Sequence, residues 1–369
     1  MSSVSHNVKS ICEIIEEFAP LALCESYDNV GLLIGDAQME VSSILICLDV
    51  TEDVLDEAIQ KKCNMIVSHH PLIFSGLKRL TNANDVQLCV AKAIKNDIAI
   101  YAAHTNIDNV LQGVSGRMAE KIGLTNMRVL QTKQNSLLKL AVYVPHAQAN
   151  QVREALFAAG AGQIGNYDAC SYNTEGIGTF RANEHSNPFV GARNELHLEP
   201  ETRIEVILPV YFKHKVINAL VQSHPYEEPA YDIYAVQNDW TQAGLGIVGE
   251  LPEAEDEKIF LLRIKEIFKI KTIRHTALLR KPIKRVALCG GAGSSFVPDA
   301  IAAKADIYIS GDFKYHDFFN AEKKILVADI GHFESEQYTK DIFYEIITKK
   351  IPTFAVQISD INTNPINYL

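Results

Sequence analysis

Five residues of this 369-residue chain have the types and spacing to hold metal ions: His69, His70, Asp108, His332 and Glu336. Neutral imidazole and carboxylate together suit Zn, Fe, Mn or Co. Adjacent histidines on a regular strand cannot both face one ion, because side chains alternate; at a strand end they can serve two neighbouring ions. His332 and Glu336 are four apart, which puts both on one face of a helix that begins there. A carboxylate such as Glu336 can bridge two ions, which in dinuclear hydrolases lie ~3.5–4 Å apart. Three nitrogens and two carboxylates leave coordination positions open for water, as a catalytic site needs and a structural site avoids. Taken alone, His69-His70 before Pro71 reads equally as a strand cap, and H-x-x-x-E as a surface pair. Their joint occurrence with Asp108, each just past an apolar run, favours two divalent ions per chain.

Other residues could handle protons or substrate. His104, four before Asp108 in AAHTNID, either orients a ligand, contacts substrate or packs as a core histidine. Asp312 and His316, in SGDFKYHD, could fix ligand tautomers or act as acid and base. Asp28 and Asn29, ahead of Gly31, form a plain turn or touch substrate. GGAGSS (Gly290–Ser295) follows an apolar run and could cradle an anion. It lacks the P-loop lysine and the G-x-G-x-x-G spacing, so a tight turn with an N-cap serine is expected. His224 with Glu227 and Glu228 in SHPYEEPAYD could bind another metal, but prolines on both sides favour a rigid turn.

The elements that must position these groups are short apolar runs rich in β-branched residues. They are Ser43–Val50, Met65–Ser68 and Ile98–Ala103 in the first third, and Val286–Cys289, Ile307–Ser310, Ile325–Asp329 and Thr353–Ile358 in the last. Helical patterns intervene at Asp53–Lys62, Val86–Asn96, Pro298–Ala305 and Tyr338–Lys350. Strands alternating with helices predict α/β layering with largely parallel strands, whose carboxyl ends share one edge where ligands bind. The two outer thirds resemble each other in outline, as two similar α/β halves of one metal-binding core would. The middle third differs. Leu138–Val144, Ala147–Ala159, Ala169–Asn173, Gly176–Phe180, Arg203–Leu208, Tyr211–Ser223 and Ala230–Val236 suggest a ferredoxin-like βαββαβ unit. The expected division is core 1–135, inserted domain 136–238 and core 239–369, joined through the polar segments QTKQNS and QNDWTQ.

Composition narrows the classes. With 47% hydrophobic and 22% charged residues the chain can bury substantial cores. Its net charge of -10 argues against nonspecific nucleic-acid binding, which needs Lys and Arg. Seven cysteines with no CxxC pair read as reduced thiols, so a cytoplasmic protein is expected. The N-terminal stretch MSSVSHNVKSICEIIEEFAP lacks the apolar run of a signal peptide and reads as an amphipathic helix ended by Pro20. No run approaches the ~20 apolar residues of a membrane helix.

The blocks SYDNVGLLIGD, SHHPLIF, AAHTNID, SGDFKYHD and DIGHFESE, in that order, resemble the signature of the NGG-interacting-factor-like family. Its members also carry the name GTP cyclohydrolase I type 2 homologue. GTFRANEHSNPFVGA and HPYEEPAYD resemble the PII/CutA-like insert of its longer bacterial members. The resemblance implies a toroidal homohexamer with a dinuclear site facing an internal cavity, and its ligand pattern falls on His69, His70, Asp108, His332 and Glu336. The resulting expectation is a metal-dependent hydrolase of a nucleotide or related small molecule. The alternatives are a non-catalytic metal-binding ring whose insert senses a small molecule, and a nucleic-acid-binding ring.

Overall fold

Apolar runs too continuous to face water on either side must be covered on both, and the chain meets this demand twice. The computed structural model describes residues 5–369; the first four positions of the stretch read for a leader lie outside it. Contacts divide the chain into two compact units, residues 133–241 and the remainder.

The larger unit holds two sheets. In the first, the order is Gly31–Ile34, Ala99–Ala102, Met65–Ser68, Ile44–Cys47 and Val356–Ile358. The last four of these run parallel, and Gly31–Ile34 closes the edge antiparallel. Helices Val8–Phe18 and Thr339–Lys350 cover one face, through Ile11, Ile15, Phe343 and Ile347. Helices Glu52–Gln60 and Asp85–Lys95 cover the other, through Val54, Leu55, Val90 and Ala93. Each fully buried Leu or Ile in such layers contributes roughly 1.5–3 kcal/mol.

The second sheet runs Arg274–His275, Leu326–Asp329, Ile307–Gly311, Ile283–Ala292, Trp240–Glu255 and Thr125–Lys133. Its middle strands, Leu326–Asp329, Ile307–Gly311 and Ile283–Ala292, are again parallel neighbours. Helices Val114–Ile122 and Glu257–Ile267 cover one face with Met118, Phe260 and Ile264, while Val297–Ala302 packs Val297 and Ala300 on the other.

Residues 133–241 form an antiparallel sheet ordered Ser171–Arg181, Leu196–Pro209, Leu137–Pro145, Tyr231–Val236. Helices Ala149–Ala158 and Lys213–Ser223 pack on it through Val152, Leu156, Val216 and Leu220.

Several expectations need correction. The run at 353–358, grouped by sequence with the last third, joins the first sheet by pairing Val356–Ile358 with Ile44–Ile46. The polar joints are partly strand: Thr125–Lys133 and Trp240–Glu255 run into them. Ala169–Asn173 and Gly176–Phe180 are one strand, Ser171–Arg181. It pairs in register from Ser171↔Val206 to Arg181↔Leu196, which draws the turn-rich stretch LHLEPE into its partner. No helix of the described residues is long and apolar enough to cross a membrane. Cys12, Cys47, Cys63, Cys89 and Cys289 are buried thiols.

The strands that lead into and out of residues 133–241 are neighbours in the second sheet. A short flexible linker can therefore replace that unit at small entropic cost. The shortened chain should melt in one cooperative thermal transition followed by circular dichroism. Loss of cooperativity would show that the inserted unit completes the packing of the core.

Candidate metal centre

Strand ends deliver the polar groups. His69 and His70 follow Met65–Ser68, and Ser68 Oγ fixes the bend by donating to the His70 carbonyl at 2.9 Å. His104 and Asp108 bracket the single helical turn Thr105–Asp108 after Ala99–Ala102. From the second sheet, Leu326–Asp329 leads through Gly331 into the short helix His332–Glu336, whose i,i+4 spacing sets His332 and Glu336 side by side. Gly331 sits at φ 91°, and its N–H donates to Asp329 Oδ1 at 3.0 Å.

Four imidazoles are anchored alike. His69 Nδ1 donates to the Ala103 carbonyl at 2.9 Å and His70 Nδ1 to Asp49 Oδ1 at 2.7 Å. His104 Nδ1 donates to Asp28 Oδ1 at 2.9 Å, and His332 Nδ1 to Asp312 Oδ2 at 2.8 Å. Each anchor commits Nδ1 and leaves Nε2 for the interior, the tautomer a metal ligand needs. The Nε2 atoms of His69, His70 and His332 converge on Glu336, only 3% exposed: Oε2 lies 3.0 Å from His70 Nε2 and 3.1 Å from His332 Nε2, and Oε1 lies 3.6 Å from His69 Nε2. His70 Nε2 and His332 Nε2 are 3.3 Å apart. Asp108 Oδ1 stands 3.8 Å from His69 Nε2.

His69 Nε2, Asp108 Oδ1 and Glu336 Oε2 are buried, and none makes a well-directed hydrogen bond. Buried polar atoms are ordinarily satisfied, so three orphans in one cluster fit a cation. Two overlapping groups could hold one, His69-His70-His104 and His70-His332-Glu336, with ligand atoms within 4.8 Å of one another.

The charges agree. Burial alone would raise Glu336, but His69, His332 and His70 hold it well below the usual carboxylate range. Burial, then the Glu336 charge, pushes Asp108 up to about 7. Burial alone would lower the two imidazoles, yet Asp49 and Glu336 carry His70 to about 10, and Glu336 and Asp312 carry His332 to about 9.

The residues named from sequence fall into distinct positions. His69, His70, His332 and Glu336 meet directly, and Asp108 borders them through His69. His104 stands among the potential ligands. Asp28 is taken up by His104 and Thr105, so it orients the imidazole, while Asn29 Nδ2 donates to the Ile73 carbonyl. Asp312, at φ 56° in the left-handed region, is committed to His332; such strain persists only where surroundings impose it. His316 is exposed and packs its ring on Tyr315 and Phe319. His224 is buried between the Tyr143 carbonyl and the Tyr226 N–H, a turn lock. GGAGSS is not the single tight turn expected: Gly290–Ala292 end the strand Ile283–Ala292, and Ser294–Phe296 form a 3-10 turn with no side-chain cap. Its Gly291, at φ 64°, lies against the site, where an added Cβ would stand 2.2 Å from Glu336 Oε1. Sequence reasoning missed Asp49, although it ends the run SILICLD just as His69 ends MIVS.

Comparison with known proteins finds a family and relatives for nearly the whole chain. Residues 6–365 match the model of the Duf34/NIF3 (NGG1p interacting factor 3) family. A Bacillus subtilis protein called GTP cyclohydrolase 1 type 2 homolog is 39% identical, covering 99% of each chain. One of the same name from Halalkalibacterium halodurans is 38% identical over 98% of this chain and 99% of its own. A crystal structure of a Bacillus cereus protein related to NIF3 superposes with a TM-score of 0.87 at 37% identity, covering all of both chains. A Staphylococcus aureus structure gives 0.77 at 30% identity, covering 99% of each.

Two outcomes test the geometry. Gly291→Ala should cost ~1–2 kcal/mol from its left-handed backbone and also lower bound metal by displacing Glu336. Gly123→Ala, at φ 82° with nothing within 4 Å of the added carbon, should cost similar stability and leave metal unchanged. Equal metal loss in both would detach Gly291 from the site. Second, His70 and His332 titrate above the ordinary imidazole value and Asp108 near 7. Metal must displace those protons, so affinity should rise with pH up to about 9–10. Calorimetry at pH 7 in buffers of different ionisation enthalpy should show proton release; no buffer dependence would contradict this charge arrangement.

Proposed function

The chain belongs to the Duf34/NIF3 family, and from that membership and the cluster's chemistry we propose a dinuclear metal-dependent hydrolase of a nucleotide or related small molecule. The observation that carries the reading is the convergence of three orphaned buried atoms, on His69, Asp108 and Glu336, from three elements. His69, His70, Asp108, His332 and Glu336 would hold two divalent ions of the Zn, Fe, Mn or Co class, with His104 placed to join them. Bound there, such ions would polarise a scissile group and make a water nucleophilic near neutral pH.

The protein's own residues do the rest. Ala103, Asp49 and Asp312 hold the Nδ1 atoms of His69, His70 and His332, so that each Nε2 stays in line. Glu336, flanked by His70 and His332, would supply the negative charge that draws cations to the cluster. Asp28 anchors His104 at Nδ1, leaving Nε2 to exchange a proton with substrate or join the ligands. Asp312 and His316 are weaker candidates for acid and base, the first being committed to His332 and the second exposed. The relatives' name, GTP cyclohydrolase 1 type 2 homolog, makes water-driven opening of a purine ring the first reaction to test, and phosphoester hydrolysis the second.

A second reading is favoured by a cleft of about 610 Å³ in residues 133–241, lined by Tyr143, Phe180, Phe189, Arg203 and Tyr226. It is of small-molecule size and suits a metal-binding assembly whose insert senses an effector. Both readings share a proposed ring of six chains in the cytoplasm.

Protein purified without chelator should carry close to two transition-metal ions per chain by elemental analysis. His69→Ala or Glu336→Ala should remove at least one; full metal in both would sink the assignment. Hydrolysis of GTP or a phosphoester should vanish in Asp108→Ala and in chelator. Activity surviving either would place catalysis elsewhere, and metal without turnover on a broad substrate panel would favour the sensing assembly.

A further inference from the structure

Residues 359–364 reach the metal cluster from a direction that its ligands do not reveal. Beyond the strand Val356–Ile358, the segment is laid onto the first sheet: Ser359 N–H donates to the Ile46 carbonyl at 2.7 Å, and Asp360 N–H to Glu57 Oε1 at 2.9 Å. Ile361 packs against the core beside Val54 and Leu55. Beyond Asn362, two side chains diverge. Thr363 Oγ1 donates to Asp49 Oδ2 at 2.5 Å, while Asp49 Oδ1 accepts from His70 Nδ1 at 2.7 Å. Asn364 Nδ2 donates at 3.0 Å to Oε1 of Glu334, a buried residue of the helix His332–Glu336.

We propose that Thr363 and Asn364 form a clamp that positions the metal ligands: Thr363 turns the Asp49 carboxylate towards His70, and Asn364 holds the helix carrying His332 and Glu336. The proposal rests on reading the cluster as a metal centre, and it makes both side chains positioning residues. Asp49 has two oxygens and one imidazole to serve. Without a donor on Oδ2 the carboxylate can rotate, and the His70 ring loses its fixed direction. Outer-shell partners of this kind typically change metal affinity 10–100-fold. Adjacent in sequence, Thr363 and Asn364 grip one ligand element from each sheet, so they also hold the two ligand sets in mutual register.

The probe is zinc, titrated into metal-free full-length protein against a chromophoric chelator. Thr363→Val should weaken zinc binding about tenfold, Thr363→Ser should restore it, and Asn364→Ala should weaken it comparably. In an Asp49→Ala background Thr363→Val should add nothing, because its route to His70 is already cut. A second readout needs no metal: the nitrogen-15 shifts of the His70 ring should move in Thr363→Val and not in Thr363→Ser. Unchanged zinc affinity in Thr363→Val and Asn364→Ala, or a Thr363→Val effect that persists undiminished with Asp49→Ala, would overturn the clamp. If the unmodified protein takes no zinc, the metal reading falls. The His70 shifts then decide the clamp alone, and a ring unmoved by Thr363→Val overturns it.

Discussion

A carboxylate buried among imidazoles is the constraint on which this molecule turns. Glu336 is almost fully shielded from water, and an isolated charge in that position would cost several kcal/mol. Its compensation must be positive, close and held in place. That requirement accounts for the neighbouring histidines, and for the habit of tying each Nδ1 to a carbonyl or carboxylate. It also accounts for glycine at 291, where a side-chain carbon would fall on the carboxylate itself.

The two sheets solve the problem of bringing such groups together. Each contributes parallel strands sealed on both faces, so the only places left for polar chemistry are strand ends. His69 and His70 leave one sheet and His332 leaves the other, each just past a fully buried run. The repetition in outline between the outer thirds thus has a physical use, since two similar layers present two similar edges.

That grammar is why the candidate ligands were legible in the sequence. An apolar run ended by His, Asp or Gly needs no tertiary information to be noticed, and His69, His70, Asp108, His332 and Glu336 all bear this mark. What stayed hidden depends on pairing between distant segments. Asp49 carries the same mark, but its role exists only because His70 lies beside it. His104 stayed open between orienting a ligand, contacting substrate and packing in the core, because nothing local shows Asp28 beneath it, 76 positions away. Val356–Ile358 read as part of the second half, because a short strand does not announce which sheet it will join. The joints around the insert read as linkers because their polar residues belong to the ends of long strands.

The strand Val356–Ile358 also sets an order of events in synthesis. It completes the edge of a sheet whose other members lie before residue 103. Nascent chains fold from the N-terminus as they emerge, so the first sheet waits, one strand short, while the insert and the second sheet are made. His69 and His70 are present throughout that interval, but His332 and Glu336 are not. The centre therefore matures late, and a chain interrupted on the ribosome between residues 241 and 332 carries His69, His70, His104 and Asp108 without the Glu336 carboxylate that gathers the imidazoles. Termination in that interval thus leaves residues 133–241 fully synthesised and the centre unassembled, which separates the synthesis of the two units from the onset of any chemistry.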